Sequence, residues 1–160
     1  MKDNNGEHPY GDSGQLILLV LFLLIWVADS FLLQMSTFLS DYVSLYIRLV
    51  MFGLLLVAAV YLIRSGHVVV QHGQRPSGIV SSGAFRYIRH PLYLGSIMFY
   101  LGLSISTASL FSFVLVILIF FFYNYIASYE EKLLEDRLSE EYRNYKKRTG
   151  KWVPMIGRYG

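Results

Sequence analysis

The chain has 160 residues, of which 54% are hydrophobic, and carries a formal net charge of +3 at pH 7. Its mean hydropathy of +0.44 excludes an ordinary soluble domain, which at this length carries fewer apolar runs. The absence of cysteine excludes both a disulfide framework and a thiol nucleophile.

Residues 1–14 are polar and rich in Gly and Asn, so they read as a flexible tail. Residues 15–160 read as a single domain without internal repeats. Four apolar segments follow the tail, at about 16–33, 45–63, 92–106 and 110–127, each near the roughly 20 residues needed to cross about 30 Å of hydrocarbon. The third is short, which predicts little tilt or a locally thinned bilayer. The expected fold class is an all-α integral membrane protein of about four transmembrane helices. Before the first span Lys2 stands against Asp3, Glu7 and Asp12, and no small-residue cleavage site follows, so an uncleaved span is expected. The linker 64–91 carries Arg64, Arg75, Arg86 and Arg89, and the tail 128–160 carries eight further Lys and Arg; the loops near 34–44 and 107–109 carry none. The positive-inside rule then sets both termini, the linker and its mouth on the cytoplasmic side.

The stretch 65–82 mixes Gly, Ser and His with Pro76 and reads as irregular or interfacial structure. From Glu130 onward Leu133, Leu134, Leu138, Tyr142 and Tyr145 recur at helical spacing. This predicts an amphipathic surface helix over about 130–148, ended by Gly150 and Pro154. Lys146, Lys147 and Arg148 are expected on its solvated face, docking on anionic lipid headgroups. With the basic charge on this tail, nucleic acid is not an expected partner.

The chemistry concentrates where the third and fourth spans meet. Pro91 suits the first turn of a helix, where its missing N–H costs nothing, and it holds His90 extended at the cap position. The helix N-terminus beside Arg86, Arg89 and His90 is therefore an anion site. The turn at 106–109 is short, so the two spans are antiparallel neighbours, and Glu130 and Glu131 at the end of the fourth form a cation site at the same mouth. Charge at such a position is costly and usually functional. A ligand with a carboxylate and an ammonium on one carbon fits between the two feet. S-adenosylmethionine has that end, and Tyr87, Tyr93, Tyr123, Tyr125 and Tyr129 are available for its remainder; other zwitterions satisfy the same layout.

The run Ser82-Gly83-Ala84-Phe85-Arg86-Tyr87-Ile88-Arg89-His90-Pro91-Leu92-Tyr93-Leu94-Gly95 resembles the signature of the integral-membrane phospholipid and isoprenylcysteine methyltransferases. Tyr129-Glu130-Glu131, Leu134 and Glu140-Glu141-Tyr142-Arg143-Asn144-Tyr145 are similar to that superfamily's second block. The resemblance covers about residues 78–156 and implies S-adenosylmethionine binding without a Rossmann domain. It implies a cofactor site at Gly83, Tyr87, Arg89, His90, Pro91, Tyr93, Gly95, Glu130 and Glu131, with Glu130, Glu131 and Arg89 as catalytic residues. It also implies a lipid-like acceptor. The hairpin from Pro91 to Glu131 resembles phosphatidylethanolamine N-methyltransferases, whereas residues 141–148 resemble the isoprenylcysteine branch. That branch typically has an arginine shortly before the glutamate pair, and here the stretch is Asn124-Tyr125-Ile126-Ala127-Ser128. Phospholipid amine methylation is therefore favoured, with carboxyl methylation or another small apolar acceptor as alternatives.

Blander readings stand beside these. Gly95 and Gly102 share a helix face suited to close packing, Asn124 is expected to bond a neighbouring helix, and Asp29 is expected to pair with Arg48. His67 and His72 lack ligand spacing, so no metal site is expected. A non-catalytic lipid-binding scaffold explains the spans and the basic tail, but not His90-Pro91 and Glu130-Glu131 at opposite feet of one hairpin.

Overall fold

The computed structural model describes residues 11–72 and 79–155, with backbone alone for 11–12 and 67–72. Helix α1 (Gly11–Val27) runs on into a π-helical turn, Ala28–Leu33. Helices α2 (Leu45–His72), α3 (Pro91–Thr107) and α4 (Leu110–Arg148) follow, with short 3-10 turns at Phe38–Asp41 and Gly83–Arg86. Among the described residues strand-type pairing is limited to one parallel bridge between Ile88 and Gly150, so the fold is all-α.

Three helical segments, Ser13–Leu33, Leu45–Gly66 and Leu110–Arg148, are long and apolar enough to cross a bilayer. Their outward side chains, among them Leu24, Leu54, Val57, Val114 and Phe121, are exposed, as a hydrocarbon solvent requires. Helix α3 has 17 residues and rises only about 25 Å, which leaves it short of the three.

Several expectations change. Helix α1 begins at Gly11, inside the expected tail; residues 1–10, with His8, lie outside the described residues, as do Arg75 and Arg158. Helix α2 runs to His72, so the first part of the supposed irregular linker is helical. The sequence after Arg64 holds no proline before Pro76 to stop it. The side chains of His67 and His72 are outside the described set.

The largest change concerns the separate surface helix. Residues 128–138 simply continue α4, and the helix then reverses at Ser139, whose backbone (φ 43°, ψ −111°) is non-helical. Lys146 reaches Glu135 at 3.1 Å and Lys151 reaches Asn124 at 2.9 Å. In a straight helix residues 11 apart stand about 16 Å from one another, so the second limb, 140–148, must fold back along the first.

Packing explains where the two feet sit. Helix α3 lies chiefly against α2. A Cβ on Gly95 would stand 2.8 Å from Ile63 Cγ1 and 3.1 Å from the Ala59 carbonyl, and one on Gly102 would stand 3.0 Å from Phe52. These glycines let the two backbones approach. Phe22, Tyr100, Ile119 and Tyr123 form the core between α1, α3 and α4.

At the opposite end the buried Asp29 takes the Ser36 amide at 3.0 Å, the Ser36 hydroxyl and the Ser109 hydroxyl at 2.6 Å. Ser109 caps α4, so a carboxylate lies at that helix N-terminus, where its charge is favourable. Arg48 donates instead to the Ser106 carbonyl at 2.9 Å and to the Val43 carbonyl. The expected Asp29–Arg48 pair does not form, because Asp29 is matched by Ser36 and Ser109 and Arg48 by the carbonyls of Val43 and Ser106.

Gly95→Val is expected to destabilise the protein by about 1–3 kcal/mol through overpacking. A Cβ at Gly53 meets nothing within 4 Å, so Gly53→Ala should not destabilise, and the helix propensity of alanine should add up to about 1 kcal/mol. Thermal unfolding in detergent compares the two; equal Tm values would contradict the packing account.

Candidate active site

His90 occupies the N-cap of α3, with Pro91 in the first turn. Its ring does not cap the helix. It turns to α4, where Nε2 lies 3.1 Å from Glu131 Oε1. An ionised carboxylate can only accept, so the imidazole carries its proton on Nε2. Arg89 Nε donates to the same Glu131 oxygen at 2.8 Å, while its Nη1 bonds the main-chain carbonyls of Thr149 and Lys146. Tyr93, one turn into α3, donates its hydroxyl to Glu130 Oε1 at 2.6 Å. The His90 ring stands between the two glutamates, its Nδ1 3.9 Å from Glu130 Oε2, with Arg89 on the Glu131 side and Tyr93 on the Glu130 side.

Burial alone would raise the Glu131 carboxyl, but the hydrogen bonds from His90 and Arg89, with the Arg89 charge, hold it at about 2. Burial also lowers the His90 imidazole, against the hydrogen bond and charge of Glu131 that raise it. At pH 7 the site therefore holds an ionised Glu131 and a neutral His90.

The His90 and Tyr93 rings stack at 5.7 Å, and Tyr93 stacks on Tyr123 at 5.1 Å. This aromatic ladder leads from the charged foot into the core. Beside it, a cleft of about 470 Å³ opens between the limbs of α4. Glu131, Glu135 and Asp136 line it together with Lys132, Arg143 and Lys146, a surface suited to a ligand carrying both charges.

Of the residues singled out from sequence, Arg89, His90, Tyr93, Glu130 and Glu131 are brought together, with Pro91 buried beside them. Gly95 is not part of this group: it faces Ile63 and Ala59 of α2, and its role there is helix packing. Gly83 opens the preceding 3-10 turn with φ 59°, a left-handed conformation that favours glycine. Tyr87 is exposed, with the Arg86 guanidinium 6.0 Å from its ring centroid; its carbonyl accepts from the Gly150 amide.

The return limb supplies what the sequence did not signal. The Arg89 amide donates to the Gly150 carbonyl at 2.9 Å, and the Tyr145 hydroxyl to the Phe85 carbonyl at 2.7 Å. Trp152 donates Nε1 to Asn124 Oδ1 at 3.1 Å, and its ring lies 5.8 Å from His90. Asn124 therefore holds the return limb and not a neighbouring span. Lys146 contacts Glu131 at 3.7 Å, so it lines the cleft, contrary to the expected solvated face. Lys147 and Arg148 do remain exposed. Gly150-Lys151-Trp152 was the available signal, but as a stop to a helix it gave no hint of return contacts.

A family model described as phospholipid methyltransferase matches residues 42–141. That stretch contains Arg89, His90, Glu130 and Glu131, and ends within the second limb. The chain is 26% identical over 91 residues to protein-S-isoprenylcysteine O-methyltransferase of Schizosaccharomyces pombe, covering 56% of this chain and 39% of that protein. It is 34% identical over 70 residues to methanethiol S-methyltransferase 1 of Bradyrhizobium diazoefficiens, covering 44% of this chain and 24% of that protein. The chain thus spans less than half the length of either relative. No solved structure matches it. With its apolar helices and a family match over more than half its length, the chain is a multi-pass membrane protein that belongs to the phospholipid methyltransferase family.

Proposed function

We propose that residues 15–160 form one methyltransferase domain that uses S-adenosylmethionine to methylate a lipid-like acceptor, with both termini and the mouth of the site in the cytoplasm. The observation that carries this reading is the cluster of Arg89, His90, Tyr93, Glu130 and Glu131 where α3 begins and the apolar part of α4 ends. The donor set suits the cofactor's amino-acid end: carboxylates for its ammonium, and Lys146 and Arg143 within the same cleft for its carboxylate. When bound, S-adenosylmethionine supplies an electrophilic methyl group, transferred in line to a lone pair on the acceptor. The chain's own contribution is positioning and exclusion of water.

The two glutamates divide the work in this reading. Glu131, held at about 2 by His90 and Arg89, is a fixed anion and a weak base. An amine acceptor with a pKa of about 10 has to lose its proton before attack. Glu130, which accepts from the Tyr93 hydroxyl and lies 3.9 Å from His90 Nδ1, is the carboxylate assigned to that step. Phospholipid amine methylation is the favoured chemistry; the two relatives are named for a carboxyl and a thiol acceptor. Lys147 and Arg148, exposed beside the mouth, are assigned to anionic lipid headgroups.

Purified protein is expected to bind S-adenosylhomocysteine by calorimetry, and Glu130→Gln and Glu131→Gln each to weaken that binding by about 1–3 kcal/mol. Labelled methyl should enter extracted aminophospholipid. Label appearing instead in a prenylated cysteine or an alkyl thiol would reassign the acceptor, and unchanged affinity in both variants would remove the carboxylates from the cofactor site.

A pH dependence follows from Glu131. Its folded pKa lies below the ordinary 4.5, so its stabilising contribution is complete above 4.5 and is lost as pH falls through about 2. Chemical denaturation between pH 6 and pH 3 should show that loss in the wild type. A Glu131→Gln protein with the same slope would contradict the assignment.

A further inference from the structure

Lys151 is not used by the reading above, and its surroundings set it apart from the other cations at the foot. Arg89 is paired with Glu131, Arg143 with Glu135, and Lys146 with both. Lys132 and Arg86 are exposed. Lys151 is partly buried, and among the described residues no carboxylate lies within ion-pair distance of it. Its ammonium donates to neutral groups on one face of α4: Asn124 Oδ1 at 2.9 Å, the Asn124 carbonyl at 3.2 Å and Ser128 Oγ at 2.7 Å. Burial pushes its pKa down, against the charge of Glu131, which raises it.

Its position is specific. Asn124 lies seven residues before Glu131, which is about 10 Å along the helix toward the bilayer. Asn124 also takes the Trp152 indole, so side chains from both limbs converge on it. The Trp152 ring lies 5.8 Å from His90 and 5.6 Å from Phe120, and Phe120 is partly exposed on the lipid side. Lys151 is thus a cation with neutral contact partners, on the bilayer side of the charged foot, with Glu131 acting on it only at longer range.

We infer that Lys151, delivered onto α4 by the return limb, recognises an anionic oxygen on the methyl acceptor and so sets acceptor specificity. This rests on the methyltransferase reading. The oxygen belongs to a lipid phosphodiester or to a carboxylate at the end of a lipid-modified residue; both present the same charge to an ammonium. A neutral thiol or alcohol acceptor would leave Lys151 with Asn124 and Ser128 as its partners, whereas an anionic oxygen would replace the exposed Ser128 contact.

The test measures methyl transfer by the full chain in neutral detergent to three acceptors: a short-chain phosphatidylethanolamine, an S-prenylated N-acetylcysteine and a neutral alkyl thiol. Lys151→Met is expected to raise KM for the anionic acceptor that is turned over by about tenfold, the scale of one charge-assisted hydrogen bond. KM for the thiol and affinity for S-adenosylhomocysteine should not move, and Lys151→Arg should restore most of the loss. Which anionic acceptor responds identifies phosphate or carboxylate as the source. An equal loss for the neutral thiol, or lost S-adenosylhomocysteine binding, would make Lys151 structural or a cofactor group and overturn the inference. If no acceptor is turned over, the methyltransferase reading fails separately, and direct binding still decides this one. The chain has two tryptophans, so in Trp26→Phe the emission reports on Trp152 alone. A saturable emission change with an anionic lipid analogue, absent with its neutral ester and absent in Trp26→Phe/Lys151→Met, supports the inference. The same response to both analogues overturns it.

Discussion

A guanidinium has five donors and does not lose its charge, so an arginine withdrawn from water has to be matched on several sides. Arg89, with its side chain 9% exposed, is matched by Glu131 and by the carbonyls of Lys146 and Thr149. One residue thereby fastens three parts of the chain: the entry to α3, the foot of α4 and the return limb. Removing one partner from a buried pair of this kind leaves an uncompensated charge, typically at a cost of about 3–5 kcal/mol. The carbonyls come from residues beyond Ser139, so the match depends on the reversal there. A non-glycine residue at φ 43° is itself strained by about 1–3 kcal/mol, and the contacts of the return limb offset that strain.

The same arrangement separates two adjacent carboxylates that sequence alone leaves equivalent. On a helix, neighbouring residues point about 100° apart. Glu131 is turned toward Arg89 and His90, whereas Glu130 is turned toward Tyr93. One is fixed as an anion by Arg89 and His90, and the other accepts from the Tyr93 hydroxyl. His90, neutral and donating to Glu131, acts on that carboxylate and supports the stack with Tyr93 and Tyr123. His90 and Tyr93 stand at the start of α3 and Tyr123, Glu130 and Glu131 within α4, and α3 is held rigidly because Gly95 and Gly102 bring its backbone close to α2. The short α3 therefore works as a platform, setting its first turn at the same level as residues 128–131 of α4.

Much of this was legible from the chain. Long apolar runs dictate membrane helices, because a backbone in hydrocarbon must satisfy its own hydrogen bonds. The short turn before Ser109 forces α3 and α4 to be antiparallel, and His90-Pro91 marks a helix start through proline's missing N–H. These are local rules, and together they brought Arg89, His90, Tyr93, Glu130 and Glu131 to one mouth. The spacing of small residues likewise pointed to Gly95 as a packing position, although the motif also suggested a cofactor contact there.

Only the tertiary structure decided the rest. The helical periodicity from Glu130 through Tyr145 is unbroken across Ser139, so nothing local signals a reversal. The left-handed backbone at Ser139 is stable only because Lys146, Thr149, Lys151 and Trp152 find partners on α4 and on the entry to α3. Asp29 and Arg48 show the same limit: each is a buried or part-buried charge needing a partner, but which partner depends on loop paths and not on residue type. Sequence by itself determined which segments are apolar helices and which charges gather near their ends, because transfer free energy and helix geometry act residue by residue. Which charge meets which was settled by the fold, because it depends on contacts between residues far apart in the chain.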